Sequence, residues 1–233
     1  MAHPFTLPAT LLSIVLSLIC LLIVFLHSPH IFPQPIANLH KCPAGSHSTR
    51  IFVVTPTYPR AERLADITRM AQTLMLVSEI EWVVVEDGSY RMPAVERALV
   101  RSGLTYHYIT AETPPNYRGV WTVSGNHQRN AGIDFVLRYR GLQLPPNTRA
   151  VIYFGDDDNA YDYRLFDEYI RKVRRVGVWA VGLAGGVLVV APHVDERSGL
   201  VTGWDGDYRR QFNEFLVDVA GFAVGVDYLV ERK

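Results

Sequence analysis

Apolar and polar positions alternate between two rhythms along most of this chain. Ile51 to Thr55 is a short apolar, β-branched run closed by Pro56, which predicts a buried strand running into a loop. Leu64, Ile67, Ala71, Leu74 and Val77 then recur at three- and four-residue spacing, predicting an amphipathic helix. Glu81 to Glu86 reads as a second buried strand, stopped by the turn pair Asp87-Gly88. A helix over Ala94–Ser102, a strand over Thr105–Ile109 and a helix over Gln128–Tyr139 continue the exchange. Ala150 to Phe154 is the fourth strong strand, followed by Gly155 and three consecutive aspartates. Such alternation predicts an α/β fold on a largely parallel sheet, with helices on both faces and ligands at the carboxyl ends of the strands. From Leu165 the pattern gives one helix over 165–175, then a Gly-punctuated β-rich stretch that predicts a smaller second lobe.

The first forty residues follow neither rhythm. Leu7 to Leu26 is twenty residues without a charge, the length that spans the roughly 30 Å hydrocarbon core of a bilayer as a helix. It reads as a membrane anchor, preferred over a cleaved signal peptide because it is long for an h-region and lacks a small-x-small cleavage site. Residues 27–50 mix Pro, His, Ser and Gly and read as a stem, so the expected order is tail 1–6, span 7–26, stem 27–50 and domain 51–233.

Composition sharpens this picture in two respects. All 23 basic and 23 acidic residues lie from Lys41 onward, and the formal net charge is zero. That balance offers no basic field and argues against nucleic acid as a partner. The two cysteines, Cys20 and Cys42, leave the expected domain without an internal disulfide, and Cys42 is either a free thiol or an intermolecular bridge.

Candidate chemistry gathers at the predicted strand ends. Asp156, Asp157 and Asp158 repel one another unless a cation or hydrogen-bond donors compensate them. Hard oxygen ligands suit Mn or Mg, which complete their shells with water and phosphates. A solvated acidic turn is the plainer alternative, and an EF-hand is disfavoured because no Glu stands at its twelfth position. Alternation separates Asp157 from Asp156 and Asp158. After the first strand, Tyr58 offers a ring for a base; after the second, Asp87 can accept from a uracil N–H or a ribose hydroxyl. Arg129, near a predicted helix start, can pair with phosphate or with the aspartates.

Taken in order, TPTYPR, VEDG, HQRN, YFGDDDNAY, VWAVGLAGG and VDVAGFAV resemble the β-1,3-glucuronosyltransferases of glycosyltransferase family 43, over nearly all of Ile51 to Val226. The resemblance implies a GT-A fold: a Rossmann-like nucleotide-sugar half with a smaller acceptor lobe, in a homodimer anchored as a type II Golgi membrane protein with its catalytic domain luminal. It implies Mn-dependent, inverting transfer of glucuronate from UDP-glucuronate to the 3-OH of a galactose-terminated glycan on a protein, as in proteoglycan linker synthesis. Carried onto matching positions, Pro56, Thr57, Tyr58 and Asp87 hold uridine, and Asp156, Asp157 and Arg129 serve the nucleotide side. Asp158 binds Mn, and Asp218 faces the transferred or accepting sugar. The family's general base, a glutamate, is expected beyond Lys233. Three family positions differ, as Ser124, Val190 and Asn213. Two further readings stay open: a non-catalytic nucleotide-binding partner of a full-length enzyme, and a GT-A enzyme that uses another UDP-sugar.

Overall fold

The computed structural model describes residues 49–119, 124–145, 148–184, 186–205 and 217–232. The expected span, the stem up to Ser48, both cysteines and Asn213 lie outside the described residues. Among those described, no helix is long and apolar enough to cross a membrane.

Strand β1 (Thr49–Thr57) opens two residues before the expected domain start and runs to the end of the first motif's threonines. Helix α1 (Arg63–Leu74), β2 (Ile80–Glu86), α2 (Pro93–Ser102), β3 (Tyr106–Thr110), α3 (Asn126–Gln143) and β4 (Arg149–Phe154) follow in the alternation that the sequence predicts. These four strands are parallel, in the order β3-β2-β1-β4. Two short strands extend the sheet beyond β4: β9 (Phe222–Gly225), antiparallel to β4, and β5 (Val176–Val178), antiparallel to β9. The fold is therefore α/β on a mixed sheet. A separate three-stranded antiparallel sheet combines β6 (Val181–Gly182), β7 (Val189–Val194) and β8 (Val201–Asp205).

Period-two alternation divides the core between the two faces of the large sheet. Ile51, Val53, Trp82, Val84, Val151 and Tyr153 pack with Ile67, Met70 and Leu74 of α1 and with Val95 and Leu99 of α2. Phe52, Val54, Val83, Val85, Ile152 and Phe154 face Val136 of α3 and Val226 of α5 (Val226–Glu231). Because α1 and α2 cover one face and α3 the other, the chain reverses its direction of winding between β1 and β4. That reversal opens a crevice at the carboxyl ends of the two strands, where α/β sheets bind ligands.

One expected element is broken. In place of a continuous helix over 165–175, α4 (Arg164–Glu168) gives way at Tyr169 to a 3₁₀ turn, Ile170–Lys172. The cause is Arg171, which is buried and donates to the carbonyls of Thr49 (2.8 Å) and Ser78 (2.6 Å) and to Asp167 (2.7 Å). Its guanidinium turns inward to satisfy the backbone carbonyls of Thr49, at the start of β1, and of Ser78.

Candidate functional site

The crevice is built from four segments: the ends of β1, β2 and β4 and the start of α3. The β4 strand is buried through Phe154, and the chain then turns through Gly155 to Asn159. This turn gives its three aspartates different surroundings.

Asp157 points into the protein and is 4% exposed. It accepts from the Thr57 hydroxyl at 2.8 Å, and Arg60 donates to both its oxygens, at 2.8 and 3.2 Å. Arg60 also donates to Asp66 of α1 at 2.7 Å, and Arg69 closes the group by reaching Asp66 at 2.9 Å. Burial pushes the Asp157 carboxyl above the usual range, against the lowering bonds from Arg60 and Thr57. Burial opposes charge on Arg60 too, but its bonds to Asp157 and Asp66 outweigh that and hold the guanidinium charged. The Arg60 bond is likewise the main reason that Asp66 sits below the usual carboxylate range.

Asp156 is half-buried and accepts from Arg129 at 2.6 Å. Of the two pairings open to Arg129 from sequence, the structure forms the one with the acidic triplet. Arg129 also donates to the Ser124 carbonyl at 3.1 Å, folding back over the helix start. Gly125 makes room for this: its φ is +73°, and a Cβ there would lie 2.8 Å from the Arg129 guanidinium. The Arg129 Nε is buried with no hydrogen-bond partner among the described residues. Asp158 is exposed at the rim of the turn and has no hydrogen-bond or ion-pair partner among the described residues.

At the end of β2, Asp87 is anchored by a single residue. Thr113 donates its backbone N–H to Oδ1 and its hydroxyl to Oδ2, each at 2.7 Å. Gln128, 1% exposed on α3, donates to the Thr113 hydroxyl oxygen at 3.0 Å and to the Ala111 carbonyl at 2.7 Å. Below Asp87 lies a buried ion pair, Arg63 with Glu86 at 2.7 Å, and Tyr108 donates its hydroxyl to the same carboxylate. Burial and that bond push the Tyr108 hydroxyl well above the usual tyrosine range, so it remains a donor. Pro56 is half-buried in the β1 ladder beside Val85, and the exposed Tyr58 ring lies against the Arg60 guanidinium, 5.1 Å from its carbon.

Asp218 occupies a different place. It caps the 3₁₀ turn Val219–Gly221, accepting from the Ala220 N–H at 2.9 Å. The Ala220 carbonyl accepts from Tyr153 of β4 at 3.1 Å and from Trp179, just after β5, at 3.0 Å, which fastens this turn to both strands. Val190, at one of the three differing family positions, is a buried strand residue that pairs with Val181.

Asp66, Thr113 and Gln128 escaped the sequence reading, and Arg60 was seen only as the end of a motif. Gln128 stood next to Arg129 in HQRN, which is the one signal that could have raised it. A divalent cation fits the donor chemistry in a limited way. The oxygens are hard, but no three His, Cys, Asp or Glu side chains converge among the described residues. One carboxylate, that of Asp158, is available, with water and ligand phosphates as the remaining oxygens.

Comparison with known proteins places the chain in a family. The family model for glycosyltransferase family 43 matches residues 70–233. The chain is 40% identical over 190 residues to galactosylgalactosylxylosylprotein 3-beta-glucuronosyltransferase 1 of Homo sapiens, covering 78% of this chain and 55% of that protein. It is 37% identical over 183 residues to the Mus musculus protein numbered 2, covering 78% and 54%, and 39% identical over 197 residues to the Homo sapiens protein numbered 3, covering 78% and 57%. The chain thus spans about half the length of the curated relatives it matches. A chain belonging to this family model over 164 consecutive residues, with this identity to three of its named proteins, is a member of glycosyltransferase family 43.

Proposed function

We propose that this chain acts as a β-1,3-glucuronosyltransferase with a GT-A architecture. It moves glucuronate from UDP-glucuronate, with inversion, to the 3-OH of a galactose-terminated glycan on a protein. The relatives' names, which specify a galactosylgalactosylxylosylprotein acceptor and a 3-beta linkage, support the acceptor class and the bond. The same reading makes the protein a homodimer held at the Golgi membrane by the span at 7–26, with its catalytic domain luminal.

One observation carries the site assignment. Two of the three carboxylates after β4 are neutralised by arginines, and the third, Asp158, is exposed with no partner among the described residues. Paired carboxylates are poor ligands, whereas a free one at a strand end is a ready hard-oxygen donor. Mn is the cation assigned to Asp158, and when bound it supplies charge neutralisation on the departing diphosphate. The protein's own part is positioning. Tyr58 offers its ring to the uracil and Asp87 an acceptor to the base, while Pro56 and Thr57 shape the turn beneath them. Arg129, with a buried Nε lacking a partner among the described residues, retains donor capacity for a phosphate. Asp157 is the internal strut of the turn, and Asp218, on the turn before β9, faces the sugars.

Titration of UDP into the full chain, with Mn and with chelator, tests the assignment. Mn should tighten UDP binding by roughly tenfold or more, as expected if Asp158 holds a cation that would neutralise the diphosphate. Asp158→Ala should abolish that gain and leave metal-free binding unchanged. A gain that persists in Asp158→Ala would move the metal to other residues.

A further inference from the structure

The anchorage of Asp87 has a direction, and the direction determines what the carboxylate can recognise. The Ala111 carbonyl can only accept, so the end of Gln128 that faces it is the amide nitrogen. The same nitrogen faces the Thr113 hydroxyl oxygen at 3.0 Å, so that oxygen accepts there. The single hydroxyl proton of Thr113 is then free to go to Asp87 Oδ2, at 2.7 Å, while the Thr113 backbone N–H fixes Oδ1. Both carboxylate oxygens are held by one residue, and the plane of the group is fixed. Gln128 is buried and its two acceptors lie on the segment just after β3, so the relay runs from the core of α3 outward to the rim.

We infer that Thr113, oriented by Gln128, is a positioning residue that makes this site selective for a uracil over a cytosine base. The inference rests on the reading of the crevice as a uridine diphosphate site. An ionised carboxylate whose two oxygens are held offers only lone pairs, at a fixed angle. The uracil ring presents N3–H, a donor, to that angle; cytosine presents an unprotonated N3, a second acceptor, and is repelled. If the Thr113 hydroxyl is removed, the carboxylate can rotate and accept from the exocyclic amine of cytosine instead. Selectivity would fall further than affinity. This separates the role from simple support of the fold, which would weaken both bases alike.

The test compares binding of UDP and CDP to the full chain, with thermal melting as the check on folding. The wild type should prefer UDP by about tenfold or more, the size expected when one partner would leave a buried acceptor facing an acceptor. Thr113→Val, which keeps the shape and the backbone N–H, should bring the two affinities to within about threefold. Thr113→Ser should restore most of the preference. Gln128→Met, close in volume and without donors, should relax the preference in the same direction, and it serves if Thr113→Val does not fold. Wild-type preference retained in folded Thr113→Val or Gln128→Met overturns the inference alone. A wild type with no preference for UDP overturns the uridine reading on which it rests.

Discussion

At the scale of the residue, Arg60 shows how much of the site depends on a single side chain. Its guanidinium serves Asp157 and Asp66 together, and its surroundings are largely dry: the three side chains are 13%, 6% and 11% exposed. Removing one member of a buried ion pair strands its partner, at a cost of about 3–5 kcal/mol. Arg60→Ala is therefore expected to lose stability on that order in denaturant unfolding, and Arg60→Lys to recover only part, since an ammonium cannot make the same fork. A loss under about 1 kcal/mol would mean that the network is ornamental. Asp66 adds a pH dependence with a definite sign. Its folded pKa is lowered by the bond to Arg60, with Arg69 beside it and Asp157 across the same guanidinium. Its stabilising contribution is complete above the ordinary value of 3.8 and disappears as pH falls through the lowered folded value. The stability gap between wild type and Asp66→Asn should close on acidification below that range. A gap that stayed constant to pH about 2 would contradict the pairing. The Arg60–Asp157 pairing was not readable locally, because the two residues lie 97 positions apart. The sequence displayed three repelling carboxylates and offered Arg129 as a partner for them, but it did not mark Arg60 as the partner of Asp157.

At the scale of the element, regular periodicity was a reliable guide and single polar residues were not. The strands at β1, β2 and β4 were legible because both of their faces are buried, which leaves an unbroken apolar run. The helix expected over 165–175 failed at Arg171, whose role is to cap the carbonyls of Thr49 and Ser78, and nothing in its neighbours announces that task. Helix α3 has the opposite character. Its apolar stripe is modest, with Gly132 and Val136 buried alongside Gln128, because it seats closely on β1. A Cβ at Gly132 would fall 2.4 Å from Val54 Cγ1. Gly132→Ala should thus cost roughly 1–3 kcal/mol by overpacking. It should also displace the start of α3, where Gln128 and Arg129 act, so UDP binding should weaken with it. An unchanged melting temperature would show that the α3–β1 contact is looser than described.

At the scale of the whole molecule, the order of elements placed the site before any contact was known. Strand–helix alternation implies a parallel sheet, and the crevice between β1 and β4 follows from the reversal of winding. What the sequence did not disclose is how the sheet is extended. Strand β9 is four residues long and pairs antiparallel with β4 across 70 to 74 positions of sequence, and the three-residue β5 pairs antiparallel with β9 in turn. Their position matters because the turn just before β9 carries Asp218, and its Ala220 carbonyl is held by Tyr153 of β4 and by Trp179 just after β5. The turn carrying Asp218 is thereby tied to the same strand that ends in the acidic turn. The most direct measurement of the account is glucuronyl transfer from UDP-glucuronate to a galactosyl-galactose acceptor by the full chain, with Mn and with chelator. The account predicts a glucuronylated product that depends on Mn, disappears with chelator and is lost in Asp158→Ala. Folded protein that forms no product with Mn, or that forms it equally in chelator, would contradict it.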